Sequence, residues 1–502
     1  MNNLRTVHAA LLAFTTLSAP QAVAQSRSNL WLGGFEDQSP PPWGGVDLGF
    51  TSESLSVAPA TRVIDFFRTN ANITDSEGNL QFSTNGAFLG NALGDTLLNG
   101  TGLNPSNYTN LYPEGLHGSQ YALILPEPES STVYHLIHCA ADRQAPYIHA
   151  LQLYRTTVDM SHANGLGAAV VKNEVVFSDT LVAGKITAVR HANGRDWWVL
   201  CHRHASDIYY RLLVTPEGVS APEQQPIGVV RRYTAGQACF SLQGDKFAYY
   251  FGISGEDLEI FDFDRCTGLL SNPVHVPIDD LNNHGGVAFS PSGRYLYVSS
   301  IDMVYQFDTW ASDIAGSRVT IAVWDGFYSP SPPFATMFDI AQLAPDGKIY
   351  IGTGNGTLHL HVINEPDNSG LACGMVQHGV ELPRYFMNSL PNHPNYHLGP
   401  IDGSICDSLG IDSHVPEAEL AAALRAYPNP STGAFSLSYA AQPIAGELVL
   451  YNAAGQVVLR ERLPAWSTVH NVALLGAAPG MYHAQLRWGA QRVGTRVILT
   501  EP

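Results

Sequence analysis

The sequence predicts an all-β protein, in which a β-propeller is followed by a small immunoglobulin-like β-sandwich. Hydrophobic residues make up 45% of the chain and charged residues only 14%, with 46 glycines and 32 prolines. This balance is typical of a turn-rich β protein. A strand–turn–strand unit also recurs along most of the chain, and several short strand-like segments crowd into its C-terminal tail. These three observations carry the prediction.

The recurring unit is clearest at residues 289–298 and 343–352, where Pro-Ser-Gly and Pro-Asp-Gly separate two apolar segments. Such sequences favour a tight turn in which glycine adopts a positive φ. The central glycines of the four clearest copies are Gly194, Gly244, Gly293 and Gly347, spaced by 50, 49 and 54 residues. A third strand follows each turn, and often a fourth. Four-stranded units repeated at this interval are typical of propeller blades.

The number of blades depends on how the ring closes. Six repeats are visible between residues 73 and 378, and residues 388–394 resemble one more innermost strand. Residues 29–33 and 45–50 could supply the outer strands of that last blade. A blade built from both termini would leave no open sheet edge. We therefore predict seven blades, with six as the alternative.

The N-terminus predicts export. A short positive start precedes an apolar stretch at residues 9–19, which is too short to span a bilayer. Ala22 and Ala24 form a small-x-small cleavage site, so the mature chain is expected to begin at Gln25. The predicted organisation is a signal peptide at 1–24, the propeller at 25–406, a linker at 407–424 and the small domain at 425–502.

Charge and histidine spacing narrow the range of partners. The formal net charge of −18 argues against nucleic acid or an anionic membrane surface as a partner. No segment after the signal peptide reaches transmembrane length. The pairs His202/His204 and His359/His361 share strand faces, but no acidic cluster lies beside either pair. We therefore predict no metal site and no cofactor.

Six cysteines in an exported chain permit up to three disulfides. Cys139, Cys201 and Cys239 lie in apolar strand-like segments, where a buried thiol is as good an interpretation as a disulfide. The better disulfide candidates lie in loop-like segments and are Cys266, Cys373 and Cys406.

The tail carries several motifs in a fixed order: Tyr-Pro-Asn-Pro, then an Asn-Ala-Ala-Gly turn, then Pro-Gly-Met-Tyr and a last apolar strand. It resembles the type A C-terminal sorting domain of the Bacteroidetes type IX secretion system. Arg496 stands where such tails often carry lysine, which keeps the charge. The resemblance implies that the secretion machinery is a partner, and that the protein passes the periplasm to the outer-membrane surface or the medium. The residues that carry it are Tyr427, Pro428, Asn429, Pro430, Gly433, Gly455, Gly480, Tyr482 and Arg496.

A second resemblance covers most of residues 29–410. The segments 72–80, 119–126, 261–268 and 390–404 are similar to an uncharacterised group of secreted Bacteroidetes propeller proteins that carry such tails. This group has a fold and an export route but no agreed activity. The resemblance therefore supplies no catalytic residue.

The loops that lead into the innermost strands of a propeller meet around one end of its axis. Polar groups on such loops form a candidate ligand site; the alternative is that they cap the axis together with water. The candidate residues are His117, Gln120, Gln237, His284 and Asp339.

Two function classes remain open. The chain lacks a Gly-x-Ser-x-Gly elbow, a His-Glu-x-x-His pair, a Walker loop and a dinucleotide-binding fingerprint. The favoured function is a non-catalytic secreted or cell-surface propeller that binds a glycan, peptide or protein. The alternative is a propeller hydrolase or lyase that acts on extracellular polysaccharide or lactone. It is less favoured because no paired carboxylates or metal cluster are evident.

Overall fold

The structure is a computed structural model. The residues it describes are 26–52, 54–144, 147–252, 256–278, 284–330, 334–387, 389–401, 403–407, 424–442, 444–474, 476–488 and 491–501. The predicted cleavage site at Ala24 and Gln25, and most of the predicted linker, lie outside them.

The described residues up to 387 form seven antiparallel sheets, which follow one another along the chain. The first sheet contains β1 (Leu30–Phe35), β2 (Gly44–Phe50) and β3 (Leu55–Ala60). The second contains β4 (Ala71–Thr74), β5 (Leu80–Thr84) and β6 (Leu89–Asn91). The third contains β7 (Ala122–Pro126), β8 (Val133–His138), β9 (Asp142–Gln144), β10 (Tyr147–Asp159) and β11 (Ala168–Leu181). The fourth contains β12 (Thr187–Arg190), β13 (Trp197–His202), β14 (Ser206–Thr215), β15 (Gly218–Val219) and β16 (Glu223–Arg231).

The next three sheets have four strands each, paired in chain order. The fifth contains β17 (Gln237–Phe240), β18 (Lys246–Tyr250), β19 (Leu258–Asp264) and β20 (Leu269–Val276). The sixth contains β21 (Gly286–Phe289), β22 (Tyr295–Ser300), β23 (Met303–Asp308) and β24 (Val319–Val323). The seventh contains β25 (Ala341–Leu343), β26 (Ile349–Ile351), β27 (Thr357–Ile363) and β28 (Met375–Phe386).

Burial along the strands matches their place in a blade. The second strands β13 and β22 are buried at every position, because neighbouring sheets cover both of their faces. The outer strand β16 instead alternates between exposed and partly buried side chains. The predicted turns are also present: Gly194, Gly244, Gly293 and Gly347 have φ between 71° and 79°. In each case the glycine N–H donates to the carbonyl three residues earlier.

The seven sheets close into a ring. On one face of the first sheet, Trp31 and Val46 pack with Tyr350 and Leu382 of the seventh sheet. On the other face of the first sheet, Leu32 packs in a cluster that includes Leu80 of the second sheet. Further apolar clusters join every remaining neighbouring pair from the second sheet to the seventh. The predicted β-propeller is thus confirmed, with seven blades in the part of the chain that the structure describes.

The closing segment differs from our prediction. The first sheet takes all its strands from residues 30–60, and residues 389–401 contain no strand. Three prolines in this short segment, Pro391, Pro394 and Pro400, lack the N–H donors that a strand ladder needs. The segment passes instead along the inner strands of the ring, and we call it the axial segment. Its side chains donate to the backbone carbonyls of Ala122, Ile124, Ile186 and Leu242, at 2.7 to 2.9 Å.

A disulfide fastens the end of the axial segment. Cys406 pairs with Cys266, which lies in the turn between β19 and β20. Two of the three favoured cysteines are therefore bonded. Cys373, the third, is a buried free thiol at the end of a short 3₁₀ helix. It packs in the core between the sixth and seventh sheets, where a cysteine of a surface loop cannot reach it.

The tail forms two further sheets around its own core. One contains β29 (Arg425–Tyr427), β30 (Ala434–Ser438) and β33 (Val469–Ala473). The other contains β31 (Gly446–Tyr451), β32 (Val457–Leu463), β34 (Gly480–Trp488) and β35 (Gln491–Leu499). Leu437 of the β29–β30–β33 sheet packs with Leu448 and Leu486 of the other sheet of the tail. Asn429 of the Tyr-Pro-Asn-Pro motif accepts from Ile498 N and donates to Arg496 O, both at 2.8 Å. The motif thereby joins the tail's beginning to its last strand.

Helical structure is slight. The helix α1 (Asn107–Leu111) is capped by Ser106, whose hydroxyl accepts from Thr109 N at 3.1 Å. Three 3₁₀ turns occur at Ala163–Gly165, Ala315–Ser317 and Gly370–Cys373. Over the residues described, no helix combines the length and apolar character that crossing a membrane requires.

Candidate functional site

The loops that enter the innermost strands lie at one end of the ring, which we call the mouth. All five residues predicted from the sequence belong to these loops or to the first residue of an inner strand. The structure divides them into two groups. Gln120 and Gln237 hold the backbone of the ring together, whereas His117, His284 and Asp339 are arranged around a further residue, Arg68.

Gln237 joins three blades. Its side-chain amide donates to Ala341 O at 2.6 Å, and its carbonyl accepts from Val287 N and Ala341 N at 3.0 and 2.9 Å. Gln237 itself belongs to the inner strand of the fifth sheet, and its two partner residues belong to the inner strands of the sixth and seventh sheets. The side chain is buried, so these bonds take the place of contacts with water.

Gln120 makes a similar set of hydrogen bonds. Its amide donates to Ala238 O at 2.8 Å and to the side chain of Asn392 at 3.0 Å. Its carbonyl accepts from Ala238 N at 2.9 Å. It therefore links the third sheet, the fifth sheet and the axial segment, which is a structural role.

Replacing Gln237 with leucine is expected to lower the free energy of unfolding by about 2–4 kcal/mol. The change leaves buried backbone groups of Val287 and Ala341 without partners, and each such group costs about 1–3 kcal/mol. Urea unfolding of the variant measures the loss. Gln224→Leu, at an exposed position of β16, is the matched control and should change stability little. Equal stability of the two variants would contradict this role.

Arg68 lies at the centre of the remaining group. Its Nη2 is 3.4 Å from Asp339 Oδ2 and its Nη1 is 3.3 Å from His284 Nδ1. Arg68 precedes the second sheet, His284 the sixth and Asp339 the seventh. The three side chains thus meet across the mouth from loops that are far apart in sequence.

The backbone of Asp339 is fixed by hydrogen bonds of its N–H and its C=O. Asp339 N donates to Gly352 O at 2.9 Å, and Asp339 O accepts from the hydroxyl of Ser299. Gly354, with φ +70°, lies against the carboxylate, and a Cβ there would come within 3.1 Å of Oδ2. A glycine is therefore needed for this close approach.

His284 contributes a neutral imidazole. Burial lowers its pKa; Arg68 lowers it further, while Asp339 opposes the shift. Because the Arg68 guanidinium can only donate, His284 Nδ1 must accept from it. That assignment leaves the proton on Nε2.

His117 is exposed and forms part of an aromatic surface. Its ring stacks on Phe67 at 4.8 Å with an interplanar angle of 17°, and lies 4.4 Å from the ring of Tyr112. Burial by these rings and the charge of Arg68 both lower the pKa of His117. We call Phe67, His117 and Tyr112 the aromatic platform.

Arg68 is the residue that the sequence analysis missed. It precedes the unit at residues 73–82, which matches the repeat only loosely. One signal was available, because Arg68 directly precedes the buried segment that leads into β4. A charged residue next to a buried inner strand has to lie at an end of the ring.

A second group of charges lies between the fourth and fifth sheets and is structural. Arg231 Nη2 bonds to Glu259 Oε2 at 2.8 Å, and both side chains are almost fully buried. Lys185 Nζ donates to Tyr233 O at 3.0 Å and lies 4.9 Å from the ring centre of Tyr249. Burial lowers the pKa of Lys185 to about 7. Lys185 lies in the loop that enters β12, at the same end of the ring as the mouth, but the side chains of Lys185, Arg231 and Glu259 are buried.

Only one of the two histidine pairs lies on a strand: His359 and His361 belong to β27, whereas β13 ends at His202 and His204 lies in the turn that follows. His202 and His361 are buried, whereas His204 and His359 are partly buried. Across the described ranges, no three His, Cys, Asp or Glu side chains come together in an arrangement that could hold a metal ion.

Comparison with known families identifies the tail. Residues 425–500 match the family model of the secretion system C-terminal sorting domain. They are a type IX sorting domain. The sorting domain directs the protein to the cell surface or the outside, and it makes the secretion machinery a partner.

The propeller itself is matched only through its fold. No curated protein is significantly similar to the chain in sequence. A candidate 6-phosphogluconolactonase from Bacteroides uniformis is 13% identical with a TM-score of 0.39, over 72% of this chain and 98% of that one. The Dos1 propeller is 12% identical with a TM-score of 0.32, over 62% and 72%. The extracellular domain of a one-component system candidate from B. thetaiotaomicron is 10% identical with a TM-score of 0.35, over 94% and 54%. At these identities no activity is carried over.

Proposed function

We propose that the exported propeller is a non-catalytic carbohydrate-binding module whose site is the mouth. The observation that carries this proposal is the position of Arg68, Asp339 and His284 beside the aromatic platform. The group supplies a donor, Arg68, with an acceptor, Asp339, and a neutral imidazole, His284, each within hydrogen-bonding distance of the guanidinium. An exposed ring lies next to them.

This combination matches the chemistry of a sugar. A pyranose has apolar C–H faces, which pack on aromatic rings, and hydroxyl groups, which both donate and accept. A hydrogen bond that a hydroxyl accepts from a guanidinium, or donates to a carboxylate, is stronger than one between neutral groups. The formal charge of −18 also favours a neutral glycan over a polyanion, because like charges repel.

The same site offers little to the alternative, a hydrolase or lyase. Glycoside hydrolysis generally uses two carboxyl groups that face each other across the bond to be broken. Asp339 contacts the guanidinium of Arg68, and Arg68 in turn contacts the imidazole of His284. Binding is therefore the function that this geometry supports best.

A glycan array with the mature protein, followed by calorimetry on the best ligand, tests the proposal. His117→Ala and Asp339→Asn are each expected to weaken binding by about tenfold or more, a loss of about 1.4 kcal/mol. His117 is exposed, so its removal should leave the melting temperature almost unchanged. The matched control is His162→Ala, an exposed histidine in the connection between β10 and β11 at the opposite end of the strands.

Two outcomes would overturn the proposal. One is the absence of glycan binding by the wild-type protein, or binding that neither variant weakens. The other is turnover of a polysaccharide or lactone that disappears in Asp339→Asn while the ligand still binds, which would make the mouth an active site.

A further inference from the structure

A second cluster of exposed aromatic and polar groups lies next to the mouth. The connection between β24 and β25 folds back on itself: Ser329 N donates to Phe334 O at 2.8 Å, and Thr336 N donates to Phe327 O at 3.1 Å. We call its described residues, 327–330 and 334–336, the finger. The finger precedes Asp339 by a few residues only.

The base of the finger is fixed to the same loop that holds Asp339. Asn355 Nδ2 donates to Ala335 O at 2.8 Å. The preceding residue, Gly354, lies against the Asp339 carboxylate. The finger therefore stands directly beside the Arg68–Asp339 pair, on the same end of the ring.

Two rings of the finger are exposed, and one of them rests on another aromatic ring. Tyr328 is 54% exposed and Phe334 is 44% exposed. Tyr328 rests on Trp324 with ring centres 5.6 Å apart, and the neighbouring Phe327 stacks on His378 at 4.2 Å. Exposed rings held from below lose little conformational freedom when a ligand covers them.

Polar groups lie beside these rings. Asp325 Oδ2 is 2.9 Å from His378 Nε2, and both side chains are partly exposed. The carboxylate is oriented by Phe327 N, which donates to Asp325 Oδ1 at 3.0 Å. The finger and the Asp325–His378 pair beside it thus resemble the mouth, where a carboxylate and an imidazole also lie next to an aromatic ring.

We propose that the finger is a second sugar subsite and that the ligand is an oligosaccharide extending from the mouth over Tyr328. This inference rests on the proposed function and specifies its substrate class. One sugar packs on the aromatic platform and bonds to Arg68 and Asp339. A sugar further along the chain packs on Tyr328 and bonds to Asp325.

Calorimetry with a series of oligosaccharides of one linkage, from the monosaccharide to the hexasaccharide, tests this inference. The wild-type affinity is expected to rise by about tenfold once the chain is long enough to reach the finger, an increase of about 1.4 kcal/mol. Tyr328→Ala should abolish that rise and leave the affinity for the shortest ligands unchanged. Tyr328→Phe keeps the ring and should restore the rise.

Trp310→Ala is the matched control. Trp310 is also an exposed aromatic residue, but it follows β23 at the opposite end of the strands, so this variant should bind every length as the wild type does. An affinity that is independent of chain length, or a Tyr328→Ala variant that keeps the rise, would overturn the second subsite. Failure of the wild type to bind any length would instead overturn the proposed function.

Discussion

A chain that ends at residue 387 is expected not to fold, whereas a chain that ends at residue 424 folds and remains in the periplasm. The two truncations differ chiefly in the axial segment. Removing only the sorting domain deletes the export signal and leaves the ring complete. Removing residues 388–424 as well takes away partners from buried groups in the second to the fifth sheet.

The cost of losing the axial segment follows from its contacts. Asn392, which is buried, donates to Ala122 O and Ile186 O, and it accepts from Gln120. Tyr396 and Leu398 are buried against the inner strands as well. Each orphaned buried polar group costs about 1–3 kcal/mol, and each large apolar side chain contributes about 1.5–3 kcal/mol on burial. The sum is of the same size as the about 5–15 kcal/mol by which domains are stable, so little or no stability is left.

Circular dichroism and thermal unfolding of the two purified chains measure this difference. Cell fractionation shows where the longer one accumulates. A cooperative transition of the shorter chain at the temperature of the longer one would show that the axial segment is dispensable. Normal export of the chain that ends at 424 would contradict the role of the sorting domain.

Loss of the Cys266–Cys406 disulfide is expected to lower stability by about 5 kcal/mol in the chain-entropy model. The bond closes a loop of 140 residues, and long loops restrict the unfolded chain most. The bond also anchors the chain just after the axial segment, and the neighbouring Arg265 donates to Gly399 O within that segment. Reduction should therefore loosen the attachment of the axial segment to the ring.

Thermal unfolding of the double variant Cys266→Ser/Cys406→Ser tests this expectation. Reductant should lower the melting temperature of the wild type and leave that of the double variant unchanged. Cys373→Ser is the control for the remaining free thiols, because the response to reductant should survive in it. A double variant that melts with the oxidised wild type would show that the bond is dispensable.

The sequence was sufficient wherever one residue type is required by local geometry. The turn glycines were predicted because Gly194 and Gly293 need a positive φ that other residues adopt only at a cost. Cys266 and Cys406 were among the favoured cysteines because loops permit disulfides more often than strand interiors do. The tail was predicted because its motifs are short and their order is fixed.

The parts of the fold and of the candidate site that were not predicted depend on contacts between distant parts of the chain. A pattern can place Gln120 and Gln237 at the mouth, but it cannot show that their amides bond to strands more than 100 residues away. Arg68 was missed for the same reason, since its partner Asp339 lies 271 residues further along. Residues 388–394 were predicted to contain an innermost strand, but Pro391 and Pro394 lack the N–H donors that a strand ladder needs.

The axial segment has a consequence for the timing of folding. His393 bonds to the backbone of Asn72, 321 residues earlier, and Ser389 bonds to Asn70. Contacts of such high order form late, because loop closure must come first. A chain that emerges from a translocation channel N-terminus first displays all seven blades before it delivers the segment that completes them. Until then the carbonyls that the axial segment will bond remain open to water, so the ring is completed only when the final quarter of the chain has emerged.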